Sequence, residues 1–173
     1  MLAGERLARA KGLLLALTQA AAARRERVAL LCFAGHRTAL RVPPTRAGAW
    51  REDWVTPIDG GGGTAVQLAL DRAAQLLARH RRQRPGDSRQ LWLLTDARTV
   101  ENPSRPTDAD RIVIIDFDHG HRARHRALAW ARRWQQDGDA NAVVCLPASA
   151  LLSLPDLISR PEALSPPDLL SRP

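Results

Sequence analysis

Four consecutive glycines, Gly60 to Gly63, end in Thr64, and about thirty residues later the apolar run Leu91-Trp92-Leu93-Leu94-Thr95 ends in Asp96. A hydroxyl opening a helix after a glycine turn and a carboxylate closing a buried strand are both hard oxygen donors. In an α/β fold both belong at the carboxyl edge of the sheet, where ligands collect. Oxygens of this type suit Mg²⁺, which takes about six of them in near-octahedral array. Thr64 and Asp96 supply two, so the expected metal site is incomplete and the ion would be held mostly by water. Each residue also has a plainer role: Thr64 as the N-cap of the following helix, Asp96 as a carboxylate capping a loop.

Other chemistry is less well supported. The glycine run lacks the Gly-Lys-Ser/Thr ending that sets a lysine on phosphates, so ATP hydrolysis is not expected of this chain. Asp116, Asp118, His119, His121 and His125 cluster in sequence, with His121 and His125 at a one-turn spacing. No Cys or Glu nearby completes a tetrahedral set, and a solvated loop is the favoured reading over a transition-metal site. Cys32 and Cys145 sit in apolar runs and read as buried free thiols without a catalytic role.

The elements that must position Thr64 and Asp96 follow from periodicity. Leu7, Ala10, Leu14, Leu17 and Ala21 recur at three and four and predict a helix from Gly4 to about Ala23 with those residues inward. Arg27 to Phe33 is a continuous apolar run, the pattern of a strand covered on both faces. Thr38 to Val42 alternates after Gly35-His36 and predicts an antiparallel edge strand stopped by Pro43-Pro44. Trp50 and Trp54, four apart, lie in a connector. Beyond the glycines come a helix with Val66, Leu70, Ala73 and Leu77 on one face, then a strand over Gln90 to Leu94 and another over Arg111 to Phe117. A helix over Arg122 to Gln136 with Ala127, Trp130, Ala131 and Trp134 inward and a strand over Ala142 to Leu146 complete the pattern. Alternation of strands and helices predicts a doubly wound, mostly parallel α/β sheet in three layers. Residues 1–147 are expected to form one domain and residues 148–173 a tail. In that tail Pro155-Asp156-Leu157-Ile158-Ser159-Arg160-Pro161 nearly repeats as Pro167 to Pro173, and a short helix near Leu151 is expected.

The chain has 173 residues, 45% of them hydrophobic, enough for a single core. No apolar run is long enough to span a bilayer and the cysteines suit a reducing compartment, so a soluble cytosolic protein is expected. The net charge of +8 comes almost wholly from arginine. Without aromatic stacking residues among the arginines, a nucleic-acid binder is a weak alternative.

Several segments together resemble a known family. They are Ala10-Lys11-Gly12, Arg27-Val28-Ala29-Leu30-Leu31-Cys32-Phe33-Ala34-Gly35, Pro43-Pro44-Thr45-Arg46-Ala47, Gly61-Gly62-Gly63-Thr64 and Leu93-Leu94-Thr95-Asp96. They resemble the von Willebrand factor A domain of ATP-dependent magnesium and cobalt chelatases, in its small stand-alone form. The resemblance spans most of residues 1–116. It implies a metal-ion-dependent adhesion site in which Thr64 and Asp96 hold Mg²⁺ together with an Asp-x-Ser-x-Ser turn. That turn has no counterpart here; the resemblance places it, with the first central strand, upstream of Met1. Ala65 and Ala97 stand where relatives often have Pro and Gly. The implied role is a non-catalytic subunit that binds an AAA+ ATPase and a large porphyrin-binding chelatase subunit, in tetrapyrrole or cobalamin synthesis. The alternative within the same resemblance is a protein-binding module unrelated to chelation.

Overall fold

A computed structural model describes residues 2–55, 65–118 and 125–153. The chain divides into two compact units, Met1–Ala65 and Val66–Pro173. Both mix helix and strand, and the fold is mixed α/β, with one antiparallel and one parallel sheet among the described residues.

The first unit holds α1 (Leu2–Ala23), β1 (Arg27–Ala34) and β2 (Arg37–Arg46). Helix α1 turns its buried side out through Leu13, Thr18 and Ala21, while Leu7, Ala10, Leu14 and Leu17 are only half-buried. The expected face is thus rotated. The Leu13–Leu17 run is apolar around most of the helix, so periodicity alone does not choose the side that packs. Strands β1 and β2 pair antiparallel, and Gly35 takes the left-handed conformation (φ 56°) that the tight reversal between them requires. The proline pair does not stop β2 as expected. Its register shifts between Val28 and Leu30, with Val28 opposite Thr45 and Leu30 opposite Val42, so Pro43 and Pro44 fall at an irregularity, where a missing N–H is tolerated. The Arg27 Nη2 donates to the Pro44 carbonyl there at 2.7 Å. The apolar side chains of β1, Val28 to Phe33, are half-buried or exposed, short of the full covering its sequence predicts.

Two short 3₁₀ turns, Ala47–Ala49 and Glu52–Trp54, follow β2. They set Trp50 and Trp54 edge to face, with ring centroids 5.7 Å apart at 75°.

The second unit contains α2 (Val66–Gln83), β3 (Gln90–Thr95), β4 (Arg111–Asp116), α3 (Arg126–Gln136), β5 (Val143–Pro147) and α4 (Ala148–Ser153). The order is β3-β4-β5, all parallel, with Thr95 level with Asp116 and Asp116 level with Pro147. The middle strand is sealed: Ile112, Val113, Ile114 and Ile115 have no exposed surface. Each such side chain contributes roughly 1.5–3 kcal/mol by leaving water. The predicted inward stripe of α3 holds in full, since Ala127, Trp130, Ala131 and Trp134 are all buried and the helix packs on β4 and β5. Trp134 satisfies its indole N–H on the Pro103 carbonyl at 2.9 Å.

At the amino end of this sheet, Arg89 is 8% exposed and bound twice to Asp110: its amide donates to Oδ2 and its Nη2 to Oδ1, each at 2.7 Å. The Asp110 amide returns a bond to the Arg89 carbonyl at 2.9 Å. Burial alone would raise the Asp110 carboxyl, but the Arg89 amide and guanidinium bonds and the charges of Arg89 and Arg81 outweigh it and hold the group below its ordinary value. A lowered carboxyl stabilises the fold above its unfolded pKa, about 3.9, and that contribution fades as pH falls through the folded value. Asp110→Ala, which leaves Arg89 buried without its acceptor, is therefore expected to cost about 2 kcal/mol at pH 7, at the low end for buried pairs because the Asp110 side chain is 38% exposed. Urea unfolding at pH 7 and in acid below the ordinary carboxylate range should show the gap between wild type and variant closing in acid. A gap independent of pH would contradict this account.

Candidate site at the carboxyl edge of the parallel sheet

Of the two sequence-predicted ligands, Thr64 lies outside the described residues, as does the glycine run before it. Asp96 stands one residue past β3, at the carboxyl edge of the parallel sheet, where the pattern places it. The parallel register brings the end of β4 beside it, so Asp116 and Asp118 belong to the same edge. The Phe117 amide continues the ladder to the Thr95 carbonyl at 2.9 Å.

The turn after β3 is tightly specified. The Ala97 amide donates to Thr95 Oγ1 at 2.9 Å and the Arg98 amide to Asp96 Oδ1 at 3.3 Å. Between them Ala97 is buried and takes a left-handed φ of 49°, a conformation that costs a side-chain-bearing residue about 1 kcal/mol or more. Asp96 thus does cap its loop, as the plainer reading has it, while standing at the ligand edge.

Asp116 and Asp118 are both buried, which corrects the solvated loop expected for this segment. The segment follows directly from a fully buried strand, so its first carboxylates inherit the strand's depth. Asp116 Oδ1 accepts the Asp118 amide at 2.7 Å. Its carboxyl is raised above the ordinary value, first by burial and then by the negative charges of Asp118 and Asp96, against the lowering influence of the Asp118 amide and His125. The Asp118 side chain is 3% exposed and faces Arg98, whose Nη2 lies 3.2 Å and Nε 3.4 Å from Asp118 Oδ1. The same Nε is 3.9 Å from Asp96 Oδ2. Of the histidines in the predicted cluster, His119 and His121 fall outside the described residues, and His125 is an exposed residue before α3 with φ 50°.

The stretch from Ala97 to Arg105 is strapped down from both sides. Glu101 Oε2 accepts the Gln67 amide in the first turn of α2 at 2.9 Å, a carboxylate at the amino end of a helix. Gln67 Oε1 in turn accepts the Ser104 amide at 2.7 Å. From α3, Arg126 donates to the Thr99 carbonyl, and Arg133 to Asn102 and to the Pro103 carbonyl. Sequence reasoning missed Arg98 and Glu101, because their partners lie 20 and 34 residues away. The sequence before Asp96, Gln90 to Thr95, carries no charge, so the one available signal is the pair Arg98 and Glu101 in the loop that follows it.

Neither cysteine has thiolate character. Burial, and then the Asp116 charge, push Cys145 up to about 12, and burial raises Cys32 despite Arg41.

Among the described residues no three His, Cys, Asp or Glu side chains converge to hold a metal ion. Asp96 is the one proposed ligand on the described residues, and Asp118, the nearest further carboxylate on Arg98, is already bound by that guanidinium.

With this geometry in place, comparison with known proteins adds one relation. The chain is 40% identical over 95 residues to the magnesium-chelatase 60 kDa subunit of Cereibacter sphaeroides. The match takes in 54% of this chain but 16% of that protein, so the chain spans a small part of this relative's length. About half the chain is therefore similar to a segment of a chelatase subunit. No family model matches. Among solved structures, the crystal structure of an uncharacterized membrane spanning protein from Vibrio fischeri aligns over 92% of this chain and 85% of that one, at 16% identity and a TM-score of 0.36. A superposition that loose carries no argument. No helix among the described residues is long and apolar enough to cross a membrane.

Ala97→Gly is expected to relieve the left-handed turn and raise stability by about 0.5–1 kcal/mol, less whatever the lost methyl contributed. Thermal melting checks it, and a lower melting temperature would show that methyl packing outweighs the backbone strain.

Proposed function

We propose that this chain is a non-catalytic, protein-binding subunit of an ATP-dependent metal chelatase that inserts Mg²⁺ or Co²⁺ into a tetrapyrrole. Its partners are an AAA+ ATPase motor and a large porphyrin-binding subunit, and it acts in the cytoplasm. The single observation that carries this reading is the 40% identity with a magnesium-chelatase subunit, in a chain whose Asp96 carboxylate stands at the carboxyl edge of a parallel sheet. Such an edge is where open α/β sheets present their ligand-binding groups.

The same reading takes the fold as a doubly wound von Willebrand A domain over residues 1–147, followed by a tail. The all-parallel β3-β4-β5 order, with α3 between β4 and β5, supports the doubly wound part. Asp96 and Thr64 are the residues proposed to face the partner. Should Mg²⁺ join them, it would supply positive charge for a partner carboxylate. With two protein oxygens it would be held mostly by water and bound weakly.

The chain's own residues are enough to shape the surface. The left-handed turn at Ala97 and the bonds from Thr95 and Asp96 fix the loop. Glu101, Arg126 and Arg133 anchor the stretch that follows, which pre-organises this part of the edge. A rigid edge binds with less ordering cost than a loose one.

Asp96→Ala is expected to weaken capture of co-expressed ATPase and large subunit by about tenfold or more, equivalent to one lost charged contact. The half-exposed Asp96 should change the melting curve little. Quantitative pull-down beside thermal melting tests this. Undiminished capture by a folded variant, or no capture by wild type, would overturn it.

A further inference from the structure

The Asp118 carboxylate is almost wholly buried, and a buried carboxylate is tolerated only with a compensating charge or hydrogen bonds. Arg98 provides both. Two of its guanidinium nitrogens lie 3.2 and 3.4 Å from Asp118 Oδ1, and one lies 3.9 Å from Asp96 Oδ2. Arg98 is two residues past Asp96, and the left-handed step at Ala97 brings the chain round between them. A single side chain, half-exposed at the mouth of the edge, therefore neutralises carboxylates from two different loops. A divalent ion approaching either carboxylate would have to displace a guanidinium held by two nitrogens on the one oxygen Asp118 Oδ1.

We propose that Arg98 is the resident cation of this edge, standing where a metal ion would otherwise be needed, so that the edge is built and presented without divalent metal. The consequence for partner capture rests on the function proposed above; the charge balance itself does not. Arg98 is a positioning residue in this account, acting through Asp96 and Asp118.

Thermal melting of the full chain, with added MgCl₂ or with EDTA, tests the inference on wild type, Arg98→Gln and Arg98→Lys. Wild type should melt at the same temperature in both conditions. Arg98→Gln should melt lower by about 3–6 °C in EDTA, and millimolar Mg²⁺ should recover about half of the loss by replacing the positive charge taken from beside Asp96 and Asp118. Arg98→Lys, which keeps the charge, should melt nearer to wild type and respond little to Mg²⁺. Should Arg98→Gln fail to fold in EDTA, folding on addition of Mg²⁺ supports the inference, and failure in both conditions overturns it. A wild-type melt that shifts by several degrees with Mg²⁺ overturns it, as does an Arg98→Gln melt equal to wild type or lowered without any response to Mg²⁺. No partner enters these measurements, so their failure is distinct from failure of the Asp96→Ala capture experiment.

Discussion

Parallel pairing of β3, β4 and β5 around a strand with no exposed side chains is the constraint on which the carboxyl edge depends. Ile112 to Ile115 are buried on both faces, and a slip of β4 by one residue would turn each side chain to the other face and part Asp116 from its level with Thr95. That register sets Thr95 level with Asp116 and so fixes which acidic residues share an edge. Helix α3 secures it from one side through Trp130 and Trp134, and Arg89 with Asp110 pins the opposite end of the strands.

Polar groups on the edge follow from that burial. A sealed strand delivers Asp116 and Asp118 to a depth where carboxylates need partners, and the chain supplies them from the loop after β3. The cost is a residue with a side chain, Ala97, in a left-handed turn. Strain at such a point is maintained only where surrounding bonds hold it, and here Thr95, Asp96 and the Arg98 ion pairs do so.

What could be read from the sequence was what burial writes into periodicity. The α3 stripe was legible because four residues at helical spacing all face one sheet. The strands β3, β4 and β5 were legible as apolar runs, with ends differing by a residue. The inward face of α1 was not, because the leucines from Leu13 to Leu17 leave several faces equally apolar. Nor was the passage of β2 through Pro43-Pro44, which depends on an extra residue of β2 in its pairing with β1. At the site, Asp96 was legible as the end of an apolar strand, while the depth of Asp118 and the role of Arg98 were not: ion pairs between distant loops leave no periodic trace. The Trp50 and Trp54 spacing proved to report a mutual edge-to-face contact.

Arg98 and Asp118 act as one unit in organising the carboxyl edge, and a double-mutant cycle measures their dependence on each other. Arg98→Gln, Asp118→Asn and the double variant would each be unfolded in urea beside wild type. The account predicts that the double variant loses less stability than the sum of the single losses, with a coupling of about 1 kcal/mol or more. Losses that add to within about 0.3–0.5 kcal/mol would contradict it, because two residues that do not depend on each other behave additively.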